Sequence, residues 1–164
     1  SDMNINNQVK YQQRGWVHYQ NIKLEIETSG DYVQKVNFTS EVYYSTNPSP
    51  ALEEVCQQLL EYLQGKRKEF SVKIALEGTP FQKKVWEAMQ NIPSGRTCSY
   101  KDIAIAIGNP KAAIAVGQAA HKNPIAIIIP CHRVLATNGD LKGYAGSIEI
   151  KEWLLNLEKR NKDK

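Results

Sequence analysis

Cysteine and histidine are scarce in this 164-residue chain, three of each, and neither is spaced for a metal. Cys56, Cys98, Cys131, His18, His121 and His132 form no CxxC, no HxxxH and no paired cluster of the zinc-finger kind. An odd number of cysteines without framework spacing argues against a disulfide scaffold and fits reduced thiols in a reducing compartment. No apolar run approaches the ~20 residues a membrane span needs, and the first residues lack the charged-then-apolar layout of a secretory signal. A cytosolic location is therefore expected, or a nuclear one where the host has a nucleus. Strong charge of one sign is missing too: 21 Lys and Arg against 17 Asp and Glu leave a net charge of +4, compatible with a polyanionic partner but not diagnostic of one. With 41% hydrophobic and 23% charged residues, disorder is not expected, and the length suits one domain or two small ones. Ser1-Asp2-Met3 is read as a remnant ahead of the native Met3.

What is present divides in two. Alternating apolar residues over 15–19, 22–27 and 32–39 predict strands of a small antiparallel sheet. Ser49 and Pro50 then open an amphipathic helix with the stripe Leu52, Val55, Cys56, Leu59, Leu60 and Leu63, stopped at Gly65. A further strand is expected over 70–76, and Glu77-Gly78 marks a boundary between domains at 1–77 and 78–164. Beyond it the texture is helical. Thr79 with Gln82, and Ser99 with Asp102, have the spacing of capping boxes, the second opening a helix over 100–107 that ends at Gly108. Asn109-Pro110 is expected to cap a helix running to about Ala120. Two short helices separated only by Gly108 and Asn109 have the layout of a helix-turn-helix, although such corners also occur in enzymes that never meet DNA. Ala112, Ala113, Val116, Gly117 and Ala120 share one face of the second helix; Lys111, Ile114, Ala115, Gln118 and Lys122 look the other way. An exposed Ile between lysines is out of place in solvent, and a small register shift would instead bury it.

The chemistry concentrates at Pro130-Cys131-His132-Arg133, expected where a buried strand over 125–129 ends. A neighbouring cation or imidazole lowers a thiol from its ordinary value near ~8.5 and raises the nucleophilic thiolate fraction. If the two residues follow a strand, the side chains of Cys131 and His132 point to opposite sides and direct proton transfer between them is awkward. Cys131 as a small packed hydrophobe is the competing reading, and Arg133 is read as structural. A final helix follows Ser147, with the stripe Ile150, Trp153, Leu154 and Leu157, and Glu158 off its centre.

With these residues in view, the second half resembles the O6-alkylguanine-DNA alkyltransferases, which move an alkyl group from damaged guanine onto their own cysteine. The likeness rests on Thr79-Pro80-Phe81-Gln82 with Val85-Trp86, Ile92-Pro93-Ser94-Gly95, Ser99-Tyr100, and Gly108-Asn109-Pro110-Lys111-Ala112. It continues through Ala115-Val116-Gly117, Asn123-Pro124, Ile129-Pro130-Cys131-His132-Arg133-Val134, Gly143-Tyr144-Ala145-Gly146, and Lys151-Glu152-Trp153-Leu154-Leu155 with Glu158. The resemblance implies an α+β protein, with a ribonuclease-H-like N-terminal sheet plus helix and a C-terminal helical domain carrying a winged-helix/helix-turn-helix-like DNA-binding motif. It makes Cys131 the alkyl acceptor, His132 the base reached through a water, and Glu158 the acid that stabilises the imidazolium. Asn123 would hold the turn and the water, and Tyr100 would hydrogen-bond the guanine and supply its proton. Tyr144, Ala145 and Gly146 would wall the pocket, with the Cys131 and Val134 carbonyls accepting from the exocyclic amine. Lys111, Ala112, Ala113, Ile114, Ala115 and Gln118 would face double-stranded DNA containing O6-alkylguanine. Neither cofactor nor metal is implied, a monomer is expected, and the transfer is irreversible, once per molecule.

Two departures stand out: Ile114 where the family usually has an arginine that enters the base stack, and Ala145 where a serine is frequent. An apolar side chain can still wedge between base steps. Two other readings compete. A non-catalytic alkyltransferase-like protein that binds alkylated DNA and recruits repair factors usually lacks the cysteine. A cysteine hydrolase or thiol oxidoreductase needs an oxyanion loop or a second redox cysteine, and neither is seen.

Overall fold

The computed structural model describes residues 12–136 and 147–163. It is a mixed α+β structure whose chain divides into two compact units between Leu76 and Glu77.

In the first unit, β1 (Gln12–Tyr19), β2 (Ile22–Ser29) and β3 (Tyr32–Phe38) pair antiparallel in sequence order. Alternation decides which face is covered. Ile22, Leu24 and Ile26 are wholly buried on one side of β2 while the residues between them are half-exposed. Helix α1 (Pro50–Leu63) lies on that side and contributes Leu52, Val55, Leu59, Tyr62 and Leu63; the Ser49 Oγ accepts from the Leu52 N–H at 3.1 Å as its cap. Gly15 lets helix and sheet approach, since a Cβ there would come within 2.9 Å of the Leu52 side chain. The strand expected over 70–76 shrinks to β4 (Lys73–Ile74) and runs parallel to β3, so the sheet is mixed at this edge. Its approach is set by Gln58, buried on α1, which donates to the Ser71 Oγ at 3.0 Å and accepts from the Ser71 N–H at 3.0 Å.

In the second unit, α2 (Pro80–Gln90) and α3 (Tyr100–Ala106) each begin with a complete capping box, Thr79 with Gln82 and Ser99 with Asp102. Helix α4 (Ala113–His121) packs against both, and the buried Trp86 indole N–H donates to the Ala119 carbonyl at 2.9 Å, tying α2 to α4. The start of α4 differs from expectation. Residues 109–112 form a turn closed by the Ala112 N–H on the Asn109 carbonyl at 3.0 Å, so Asn109 caps nothing, Lys111 and Ala112 precede the helix, and Ala112 occupies the cap position without a side-chain bond. A proline at the second position of such a turn has its φ already set.

The apolar run 125–129 is not a strand. Ile125, Ala126, Ile127 and Ile129 are buried, but the segment coils on itself through Ile128 N–H to Ala126 carbonyl at 2.8 Å and Ile129 N–H to Ile125 carbonyl at 3.0 Å. Among the described residues this run pairs locally, with Ala126 and Ile129 bridging each other, rather than with a partner strand. Ile127 has φ 72°, a conformation that a β-branched residue adopts only under constraint, at roughly 1–3 kcal/mol. A single 3-10 turn, Cys131–Arg133, follows and leads into β6 (Val134–Leu135), which pairs parallel with β5 (Cys98–Ser99). Helix α5 (Ile148–Asn161), capped by Ser147, closes the unit.

Candidate active site

The nucleophile candidate sits inside that 3-10 turn, and the turn rather than a strand end orients it. Cys131 is 7% exposed. Asn123, just past the end of α4, spans the coil that precedes it: its Nδ2 donates to the Ile129 carbonyl at 2.8 Å and to the Cys131 Sγ at 3.1 Å, while its Oδ1 accepts from the Ile125 N–H at 2.9 Å. One amide thus fixes both ends of the coil and also addresses the sulfur. Burial pushes the Cys131 thiol above its ordinary value. Against that, the Asn123 amide, the Lys151 ammonium and the backbone N–H groups of Cys131 and His132 favour the thiolate.

His132 is completely buried, and its Nε2 lies 2.7 Å from the Glu158 Oε2. Glu158 is equally enclosed by Arg133, whose Nε donates to Oε1 at 2.8 Å and Nη2 to Oε2 at 3.0 Å, while Nη1 donates to the Ile92 carbonyl at 2.6 Å. Arg133 is therefore structural, as expected, and Glu158 is not an exposed helix-end carboxylate. Burial alone would raise the Glu158 carboxyl, but the His132 and Arg133 hydrogen bonds and charges outweigh it and hold it well below the usual carboxylate range. Burial lowers His132, and the Arg133 and Lys151 charges add to this; the Glu158 bond and charge oppose it without reversing it. The resting imidazole is neutral and leans on a carboxylate. Tyr100, on the first turn of α3, is half-buried, and burial followed by the nearby Cys131 raises its phenol, which keeps its proton at neutral pH.

These shifts set a pH dependence of stability. The fold prefers neutral His132, so stability present above the unfolded value near ~6.5 is lost as pH falls below it; Glu158, lowered from near ~4.3, loses its contribution as pH falls further. On the other side Cys131 is raised, and Cys56 and Cys98 are each pushed up to about 11, by burial foremost, so stability declines as pH rises past the ordinary thiol value near ~8.5. Thermal melts from pH 4 to 10 should show a maximum between about 6.5 and 8.5. A melting temperature that does not fall between pH 7 and 5 would contradict a buried neutral His132.

The structure also buries Lys151, which sequence reasoning quoted only as part of a motif. It is 1% exposed and its Nζ donates to the Val134 carbonyl at 2.8 Å. The inward face of α5 is Lys151, Leu154, Leu157, Glu158 and Asn161, whereas Ile150 and Trp153 of the expected stripe are only half-buried. A hydrophobicity pattern could not find that rotation, because two of the inward residues are charged; the 151-to-158 spacing of two helical turns was the available signal. Val134 is fully buried, and the carbonyl expected to meet the substrate amine already holds this lysine. Tyr144, Ala145 and Gly146, expected to wall the pocket, lie outside the described residues. Among the described residues no His, Cys, Asp and Glu side chains gather in threes to hold a metal ion.

On α4, Ile114 is 82% exposed, which removes the alternative of a core position. Gln118 is exposed, Ala113 and Ala115 are half-buried, and Lys111 (exposed) and Ala112 stand just before the helix. Val116, Ala119 and Ala120 face inward. Gly117, placed inward by the helical wheel, is half-exposed, and a Cβ there would meet only the Tyr100 ring at 4.0 Å. The outward side of α4 thus passes beside the residue that keeps its phenolic proton near the thiol.

A family model described as the DNA-binding domain of 6-O-methylguanine DNA methyltransferase matches residues 80–160, which span all of these groups. The methylated-DNA-protein-cysteine methyltransferase of Methanosarcina barkeri is 46% identical over 139 residues, 85% of this chain and 80% of that one. The chain belongs to the methylated-DNA-protein-cysteine methyltransferase family. The constitutive family member of Bacillus subtilis is 54% identical over 112 residues, 68% of each chain. Among solved structures, the OGT of Mycobacterium tuberculosis in complex with DNA is 40% identical, with 90% of this chain and 94% of that chain covered at a TM-score of 0.79. The O6-methylguanine methyltransferase of Mycobacterium tuberculosis is 38% identical over 91% of this chain and 94% of that one, also at a TM-score of 0.79. The α+β arrangement is thus that of known members of the family. No helix among the described residues is long and apolar enough to cross a membrane.

Proposed function

We propose that this chain repairs DNA by direct reversal, transferring the alkyl group of O6-alkylguanine in double-stranded DNA irreversibly to Cys131. The observation that carries this reading is a buried thiol held at 3.1 Å by Asn123, beside a His132-Glu158-Arg133 network, in a member of the methyltransferase family. The Cys131 thiol passes its proton through a water to His132, and Glu158 stabilises the imidazolium. Sulfur attacks the alkyl carbon, the carbon-oxygen bond breaks as the carbon-sulfur bond forms, and the departing guanine takes a proton from Tyr100. The Val134 carbonyl gives one lone pair to Lys151 and keeps another for the exocyclic amine. Tyr144, Ala145 and Gly146 complete the pocket wall. A stacked base is out of reach, so the nucleotide is flipped out, at a few kcal/mol of unstacking.

In this reading residues 78–164 are the transferase and DNA-binding domain and 1–77 the N-terminal domain. The chain acts as a cytoplasmic monomer, without cofactor. Helices α3 and α4 form the helix-turn-helix, and Lys111, Ala112, Ala113, Ile114, Ala115 and Gln118 face the minor groove. Mass spectrometry after incubation with a duplex containing O6-methylguanine should find one added methylene on the Cys131 peptide. An unmodified peptide from a chain that binds the same duplex would select the non-catalytic alternative.

Ile114 supplies a test of the DNA-binding part. As an exposed apolar wedge it fills the space of the flipped nucleotide. Ile114→Ala should slow repair of duplex DNA far more than reaction with free O6-benzylguanine, which needs no flipping. Ile114→Arg should strengthen duplex binding and steepen its salt dependence by roughly one counterion. Equal losses with duplex and free base would exclude the wedge.

A further inference from the structure

An edge strand presents backbone N–H and C=O groups to its open side, and natural sheets blunt such edges because a bare one is a template for pairing with another chain. In the first unit β1 is an edge of the four-stranded sheet, and its bonding phase is fixed at two points. The Lys23 carbonyl accepts from the Thr39 N–H at 3.0 Å, so the backbone of Lys23 turns away from His18, its partner on β1. Bonded and non-bonded positions alternate along an antiparallel pair, which leaves Arg14, Trp16 and His18 with their polar backbone groups on the open side. The Ser45 Oγ agrees with that phase by donating to the Arg14 carbonyl at 2.6 Å, and with Asn47, bonded to Gln13, it covers the Arg14 end. Among the described residues no strand pairs with the outward groups of Trp16 and His18. Beside this bare stretch runs a groove of about 750 Å³ between β1 and α1. On the helix side Pro50 and Leu60 give it apolar surface, while Glu53 and Glu54, both exposed, give it charge; no lysine or arginine is among the described residues that line it.

Charge selects the occupant. Two unpaired carboxylates at the rim repel nucleic acid or an acidic strand. A second copy pairing edge to edge through β1 would set the two α1 helices side by side on one face of the joined sheet, with Glu53 and Glu54 of each against those of the other. A segment with lysine or arginine at alternate positions meets both demands: its backbone bonds to Trp16 and His18, its stems lie on Pro50 and Leu60, and its charged ends reach the carboxylates. We propose that the groove between β1 and α1 is a docking site for an extended basic segment of a partner protein, which adds to the sheet as a fifth strand beside Trp16 and His18. The bare stretch is short, so a segment of about five residues, at ~3.3 Å per residue, fills it. The site lies within the first unit and does not depend on alkyl transfer to Cys131.

The test uses the full chain and a fluorescein-labelled Lys-Thr-Lys-Val-Lys amide followed by anisotropy, with the Glu-Thr-Glu-Val-Glu amide as control. The basic peptide should bind and the acidic one should not. N-methylation of alternate peptide amides removes donors from one edge of the added strand only, so one alternating set should abolish binding and the other should leave it intact. Glu53→Lys should weaken binding by about tenfold or more. His18→Pro should abolish it, since a proline is tolerated on an edge strand where the N–H faces outward and removes that donor. Amide exchange followed by NMR should show Trp16 and His18 protected by the peptide. Circular dichroism checks folding, and if His18→Pro does not fold, Glu53→Lys and the two N-methylated peptides still decide. Equal binding of the basic and acidic peptides, equal effects of the two N-methyl sets, or no binding at millimolar peptide would overturn the proposal. A concentration-dependent dimer that the peptide dissociates would give the edge to a second copy, and displacement of the peptide by plain duplex DNA would give it to nucleic acid; either result overturns the proposal as well.

Discussion

Cys131→Ala should abolish alkyl transfer altogether while leaving binding of the modified duplex measurable. The groups expected to meet DNA are on and before α4, whereas Cys131 is enclosed in the turn after it, so removing the sulfur deletes the acceptor without touching the exposed Ile114 or Gln118. The loss is total rather than partial because the thiol is consumed in the reaction; no surrounding group can accept the carbon in its place. The fold should tolerate the change, since alanine is smaller and the Asn123 amide that donates to the sulfur also donates to the Ile129 carbonyl. A radiolabelled methyl group that still appears on the Cys131→Ala chain would end the assignment of Cys131 as acceptor.

The sequence made the local signals of this fold plain and hid the non-local ones. Both capping boxes, the Ser49 cap and the three long strands stand where residue spacing puts them, because each is specified by neighbours in the chain. The coil at 125–129 was misread as a strand for a physical reason: a short apolar run reports burial, not conformation, and here the pairing partner is the segment itself together with the Asn123 side chain. The late start of α4 has a similar origin, in a turn that Pro110 favours as much as a helix start. Within the site, Cys131 and His132 stood out as a thiol beside an imidazole, Glu158 and Asn123 came from the motif resemblance, and the structure places Asn123 on the Cys131 sulfur and Glu158 on His132. Lys151 could not be found by pattern, since its burial depends on which way α5 is turned and the charged residues on that face hide the turn from a hydrophobicity count.

Glu158 should prove the most expensive residue of the network to remove. It receives His132 Nε2 and two guanidinium nitrogens of Arg133, with all three side chains at most 7% exposed. Glu158→Ala leaves that buried guanidinium without its carboxylate, holding only the Ile92 carbonyl of the partners named above, and breaking a buried pair by removing one partner costs about 3–5 kcal/mol, so a large drop in melting temperature is expected. Arg133→Met combined with Glu158→Leu removes both charges together and should recover much of that loss, giving a strong coupling in a double-mutant cycle. Catalysis separates from stability in Glu158→Gln. Glutamine retains the volume and one acceptor oxygen but cannot stabilise an imidazolium, so His132 is a poorer proton acceptor and transfer to Cys131 should slow by about 10²-fold or more. Its reaction should still go to completion, because the nucleophile is intact. Wild-type transfer kinetics in a folded Glu158→Gln protein would confine Glu158 to holding the fold, whereas a small stability change in Glu158→Ala would mean that Arg133 finds other partners.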